Sequence, residues 1–186
     1  MKSISLTRIG IHKMNKKKKR LLTIDLLFMI LLIMADQFSK YFAVANLRNH
    51  EPWVLWEGVF ELHYLENRGA AFGMLQDQKV LFILIAVIIL AVIMYVLVKT
   101  PYQKMYTKLH ITLVLIAAGA IGNLIDRLRY DYVVDFLYFS LINFPIFNVA
   151  DIYVTCSCVL ALILIFFYYE DEEFNFLFGK EKRKTP

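Results

Sequence analysis

Two cysteines, four prolines and seven glycines in 186 residues close off several protein classes. A disulfide scaffold needs more cysteine, and Cys156 and Cys158 stand two apart, on roughly opposite faces of any helix. Collagen and flexible Gly/Ser linkers need more glycine and proline. The sequence has no G-x-S-x-G, no H-E-x-x-H, no P-loop and no G-x-G-x-x-G, so it lacks common signatures of serine hydrolases, zinc peptidases and nucleotide binding. Its histidines (His12, His50, His63, His110) are scattered, which speaks against a histidine metal site. Charged residues make up only 20%, whereas 59% are hydrophobic. A soluble domain carries about 45–50% apolar residues, and a disordered chain fewer. What remains is a small integral membrane protein with its charge segregated.

Four apolar stretches carry that excess, at about 21–45, 80–98, 109–125 and 149–169. A bilayer core of ~30 Å needs about 20 helical residues. Lipid forces every backbone polar group to pair internally, so the stretches are expected to be helices. The fold class predicted is all-α integral membrane, four transmembrane helices with a small external β-containing loop domain. The β element is expected at Val59–Glu66, where apolar and polar residues alternate. Trp53 and Trp56 just before it have the character of interfacial anchors.

The charge pattern orients these spans. Residues 1–20 hold eight Lys/Arg and no acid, the 99–108 loop holds Lys99, Lys104 and Lys108, and the 170–186 tail adds Lys180, Lys182, Arg183 and Lys184. Four spans place all three segments on one side, which the positive-inside rule makes cytoplasmic. The division expected is a basic N-terminal segment 1–20, a four-span unit 21–169 with external loops 46–79 and 126–148, and a cytoplasmic tail 170–186. A cleaved secretory leader ending at Ala43-Val44-Ala45 is disfavoured, because its apolar run is too long and carries Asp25, Asp36 and Lys40. Nucleic-acid binding by the lysine run is disfavoured by its position against a span. Asp25, near that run, is expected to pair with it locally.

Polar residues at the edge of the spans are the candidate chemistry, since ionisable groups at membrane depth are costly. Asp126 and Arg127 cap the external end of the third span just after Asn123, Asp135 lies in Val133-Val134-Asp135-Phe136, and Asn148 and Asp151 stand at the external start of the fourth span. Asp36 and Lys40 stand one helical turn apart near the external end of the first. Topology brings Asp135 and Asp151 to similar depth. Two close carboxylates share a proton, so one can activate water while the other polarises a carbonyl and protonates a departing amine. The bland alternative is that each caps a helix or pairs with Arg127 or Arg129. A non-catalytic four-span scaffold and a small proton-coupled transporter remain rival readings of the same residues.

The segments Asp36-Gln37-Phe38-Ser39-Lys40, Asn67-Arg68-Gly69-Ala70-Ala71-Phe72, Gly122-Asn123-Leu124-Ile125-Asp126-Arg127, Val133-Val134-Asp135-Phe136 and Phe147-Asn148-Val149-Ala150-Asp151 occur in that order. In this arrangement the chain resembles the lipoprotein signal peptidase (signal peptidase II) family of membrane aspartyl proteases, over roughly residues 20–170. The resemblance implies an endopeptidase of the bacterial inner membrane with its active site at the external face. Its substrates would be prolipoproteins, cut before a diacylglyceryl-modified cysteine. It implies Asp135 and Asp151 as the catalytic pair, no metal or other cofactor, membrane lipid as the surroundings of the substrate, and globomycin as inhibitor. Asn123, Arg127 and Asn148 would bind substrate backbone and hold the pair; Asn67 and the Gly69-Ala70-Ala71 turn would line the loop above it. Asp126 would orient Arg127, and Asp36 with Lys40 would brace the pair or act directly. Arg68 reads as a surface charge. The family commonly has glycine where this chain has Asp131, which suggests a turn with positive φ that Asp tolerates.

Overall fold

The computed structural model describes residues 16–69 and 74–177; expectations for residues 1–15, Ala70, Ala71 and the basic end of the tail fall outside them. Four helices are long and apolar enough to cross a membrane: Lys16–Leu47, Lys79–Lys99, Lys104–Tyr130 and Val149–Tyr168. Their regular parts are α1 (Lys16–Leu47), α2 (Lys79–Lys99), α3 (Thr107–Tyr130) and α4 (Val149–Ile163), the last prolonged by a π-helical turn, Leu164–Tyr168. With a three-stranded sheet, the molecule is the all-α membrane protein with a small β region that the composition implied. α1 begins within the lysine run, and α3 continues to Tyr130, so Asp126 and Arg127 are helical residues.

α3 is the hub, packed against α1, α2 and α4. It can be, because its inward face is built of small residues: Ala117, Ala118, Gly119 and Gly122 are all buried. Small residues let helix backbones approach closely, and dispersion rather than water exclusion then holds them in lipid. A Cβ on Gly119 would stand 2.5 Å from the Ala150 carbonyl oxygen of α4, and one on Gly122 would stand 2.5 Å from Asp36 Oδ2 of α1. By contrast, α2 fully buries only Ile93 and Leu97, with Leu90 and Val96 half-buried beside the core, and most of its other apolar side chains are exposed as the lipid-facing exterior.

The sheet crowns one end of the bundle. β1 (Trp53–Trp56), β2 (Phe60–Asn67) and β3 (Val133–Tyr138) pair antiparallel in that order. β2 is the alternating segment read from the sequence; β1 and β3 were not read as strands there. Leu65 pairs with Asp135 and Asn67 with Val133, so the register carries the Asn67 and Asp135 side chains to one end of the ladder. The sheet rests on α1 through Ala43, Leu47, Val134 and Phe136. Trp53 and Trp56 stay exposed, as interfacial anchors do, with Trp53 edge-on to Phe42 of α1.

Asp131 terminates α3 in the left-handed region, with φ +69°, the conformation expected of that turn. Its carboxylate is taken up by Lys79 at the start of α2, which holds it below the ordinary carboxylate range. Asp25 departs from expectation. It does not pair with the neighbouring lysines but meets His110 of α3, Oδ2 to Nδ1, at 2.7 Å. The lysines reach solvent, whereas His110 is 3% exposed and needs a partner inside.

Gly119→Ala should lower the thermal unfolding midpoint in detergent by the equivalent of about 1–3 kcal/mol, because the obstructing atom is backbone and cannot rotate away. An unchanged midpoint would show that α3 and α4 are not in this contact.

Candidate active site

The site begins with a chain reversal. Phe147 bridges to Leu137 of β3, its N–H donating to the Leu137 carbonyl at 3.0 Å and its carbonyl accepting from Leu137 N–H at 2.8 Å. The next residue, Asn148, caps α4. Its Oδ1 accepts from the Asp151 N–H at 3.0 Å, and Asp151 Oδ2 accepts from the Asn148 N–H at 3.1 Å, a reciprocal capping box. The other end of the same amide, Nδ2, donates to Asp135 Oδ1 at 2.6 Å. One fully buried side chain therefore fixes both aspartates, and the two bonds leave its amide a single orientation.

Each aspartate has a second amide donor. Asn67 Nδ2 donates to Asp135 Oδ2 at 2.8 Å, and Asn123 Nδ2 donates to Asp151 Oδ1 at 2.8 Å. Asp135 is 1% exposed. Burial pushes its carboxyl up to about 7, and the charge of Asp151 pushes in the same direction, against the Asn67 and Asn148 bonds and the Lys40 charge.

Beneath the aspartates lies a second polar layer. Lys40, 3% exposed, gives its ammonium to Asp36 Oδ2 at 3.0 Å, Asp126 Oδ2 at 2.9 Å and Asn123 Oδ1 at 2.8 Å. The same two carboxylates take further partners. Asp36 Oδ1 accepts from the Ala150 N–H at 2.9 Å, Asp126 Oδ2 from the Val134 N–H at 3.1 Å, and Asp126 Oδ1 from Gln37 Nε2 at 3.0 Å. Ala150 and Val134 each precede a site aspartate, so this layer positions the backbone that carries the pair.

Asp126 does not orient Arg127, contrary to expectation: Lys40, Gln37 and Val134 take its oxygens, and Arg127, the next residue on the helix, projects on another face. The Arg127 guanidinium lies 4.6 Å over the Phe82 ring and donates to the carbonyls of Asn123 at 3.4 Å and Gly69 at 3.3 Å. Gly69 is held by its own N–H to Asn67 Oδ1 at 2.9 Å. Arg68 is exposed, near the Tyr132 ring. Gln37 is the residue the sequence reading passed over. It sits inside the Asp36–Lys40 segment and also donates to the Gly122 carbonyl at 3.2 Å.

Both aspartates open onto one cavity of about 360 Å³, walled by Asn67, Gly69, Asn123 and Arg127 on the polar side and by Phe144, Ile146, Ile152 and Cys156 on the apolar side. Such a site can hold a polar backbone against two carboxylates while apolar groups fill the remainder. Among the described residues no group of three or more His, Cys, Asp or Glu side chains is placed to hold a metal ion.

Fold and site together define a four-span membrane protein with a buried pair of aspartates on one cavity at the sheet end of the bundle. A family model described as Signal peptidase (SPase) II matches residues 28–167. A lipoprotein signal peptidase of Streptococcus pyogenes serotype M1 is 41% identical over 148 residues, covering 80% of this chain and 94% of that protein. Its counterpart in serotype M5, strain Manfredo, is 40% identical over the same shares. A solved bacterial membrane enzyme superposes with a TM-score of 0.68 at 27% identity, covering 79% of this chain and 95% of the other. Another shares the fold, with a TM-score of 0.69 at 24% identity over 88% and 95%. The chain belongs to the signal peptidase II family and is a peptidase.

Replacing Lys40 by Met should destabilise the protein by about 3–5 kcal/mol, because it strands two buried carboxylates without a cation. Thermal unfolding in detergent measures this, and an unaltered midpoint would contradict the Lys40 network.

Proposed function

We propose that this chain removes signal peptides from prolipoproteins by aspartic proteolysis, with Asp135 and Asp151 as the catalytic pair. The observation that carries the reading is that both carboxylates face one cavity while one asparagine, Asn148, holds them in mutual register. With Asp135 raised to about 7, the pair carries one proton near neutral pH. The ionised carboxylate takes a proton from a water, and its oxygen attacks the scissile carbonyl carbon. The protonated carboxyl hydrogen-bonds the carbonyl oxygen, stabilising the tetrahedral intermediate. On collapse the C–N bond breaks and the departing amine receives a proton from the pair.

The supporting shell follows from the hydrogen bonds already described. Asn67, Asn123 and Asn148 orient the pair, and Asp36, Lys40 and Asp126 act as positioning residues through Ala150, Val134 and Asn123. Arg127 and the Gly69 backbone line the polar wall that would meet substrate backbone. The cleaved bond would precede the diacylglyceryl-modified cysteine, whose acyl chains enter from lipid past the apolar wall. The bases at residues 1–20, 99–108 and 170–186 support cytoplasmic termini and an external site in the bacterial inner membrane. The unit 21–169 would be the peptidase body.

Asp135→Asn and Asp151→Asn should each lower cleavage of a lipid-modified precursor by the purified protein at least about 10³-fold, with unfolding midpoints nearly unchanged. Globomycin should block the wild-type reaction. Retained turnover in either variant would refute the assignment. The rate of the wild-type protein should also fall as pH rises through about 7: Asp135 is protonated below that value, and above it the pair loses the proton it donates. A rate still climbing at pH 8 would place the proton elsewhere.

A further inference from the structure

A second cavity, of about 400 Å³, adjoins the first. Phe144, Pro145 and Ile146 line both, so this short segment is a partition with the aspartates on one side of it. On the other side stand His63 of β2, Tyr138 at the end of β3, and Asn143. The walls of the two cavities differ in origin. Spanning helices supply Asn123, Arg127, Asp151 and Ile152 to the first, whereas no residue lining the second belongs to a spanning helix. The second is built from the sheet and from the connection between β3 and α4.

The partition is held firmly. The Leu137–Phe147 bridge closes its base, and the Phe144 N–H donates to the Phe139 carbonyl at 3.1 Å. The Phe147 ring stacks on Phe139 at 5.8 Å and meets Phe144 edge-on at 5.7 Å. Asn143 turns the chain back with φ +47°, and its Oδ1 accepts from the Tyr138 hydroxyl at 2.7 Å. That bond uses the amide oxygen, so Nδ2 is the donor left for a ligand. His63 is arranged alike. Its Nε2 meets Glu61 Oε2 at 2.8 Å, and its ring packs on Tyr138 at 4.9 Å. An ionised Glu61 accepts from Nε2–H, which leaves Nδ1 as an acceptor. Neither His63 nor Asn143 takes part in the network around the aspartates. The second cavity therefore combines aromatic walls with one donor and one acceptor.

We propose that this second cavity is a subsite for the mature part of the substrate, in which His63 and Asn143 select a hydroxyl or carboxamide side chain shortly after the modified cysteine. This deepens the proposed function and rests on it. With the scissile bond at the aspartates, the acyl chains and the signal peptide stay with the spanning helices and lipid. The part of the precursor that can enter a cavity without helical walls is the chain that follows the cysteine. Asp135 and Tyr138 lie on one strand, about 10 Å apart at the rise of a strand, and an extended peptide crosses that distance in about three residues. The side chain over the partition is thus about the third or fourth, counting the cysteine as the first. A hydroxyl or carboxamide can both accept from Asn143 Nδ2 and donate to His63 Nδ1, whereas an apolar side chain leaves both without a partner.

The test uses the full chain in vesicles and two lipid-modified precursors, one with asparagine and one with leucine at both the third and the fourth residue. The wild-type protein should show a KM about fivefold lower for the asparagine precursor, the worth of about one net hydrogen bond. In the combined variant His63→Phe, Asn143→Gly a ring still packs on Tyr138 and glycine keeps the positive φ, but both polar ends are gone. Its KM values for the two precursors should be equal, with kcat on the leucine precursor within about twofold of wild type. A precursor carrying a benzophenone side chain at the third residue, held uncut by Asp135→Asn, should crosslink on illumination to His63 or to residues 138–146. Equal KM values in the wild-type protein, a preference that survives in the variant, an equal loss on both precursors, or crosslinks confined to α4 would each overturn the proposal. Absence of cleavage of either precursor by the wild-type protein would instead refute the underlying function.

Discussion

A single buried ammonium organises this molecule. Lys40 is surrounded by Asp36, Asp126 and Asn123, so one cation joins α1 to α3. Two carboxylates buried around one cation are costly, which is tolerable only because every oxygen has a hydrogen-bond partner. Those partners are Gln37 and the N–H groups of Ala150 and Val134. The electrostatic requirement of the network thus becomes a geometric one: the start of α4 and the start of β3 must come to the same point. The catalytic aspartates proposed for this protein ride on those two elements, one residue beyond each anchored N–H.

Polar satisfaction at one layer sets up the layer above. Asn123 accepts from Lys40 with its oxygen and donates to Asp151 with its nitrogen, and Asn148 likewise spends one end on the helix cap and the other on Asp135. Neutral amides can bridge in this way without adding charge to a pair that already repels itself. Capping the helix does not take Asp151 away from the cavity: the capping bond holds one oxygen, and the carboxylate still borders the cavity.

Much of this was legible in the sequence. The four spans were, because lipid permits few alternatives to a helix over 20 apolar residues. β2 was, because apolar and polar residues largely alternate from Val59 to Glu66. β1 and β3 were not, since Trp53–Trp56 and Val133–Tyr138 are short apolar runs whose strand character depends on pairing with β2. Polar residues named along the chain lie around one cavity, but their partners were less readable. Asp126 contacts Lys40 and Gln37 across more than 80 residues rather than its neighbour Arg127, and Asp25 finds His110 rather than the adjacent lysines. Local proximity misleads inside a bundle, where a side chain answers to the facing helix.

The sequence by itself determined the number of spans, the segregation of positive charge and the set of polar residues too costly to leave without partners. Those follow from composition and transfer free energy, which are local quantities. Only the tertiary structure decided which carboxylate meets which amide and that Asn148 serves both aspartates. Those depend on how closely α3 allows its neighbours to approach, and Gly119 and Gly122 set that distance through contacts made across the bundle.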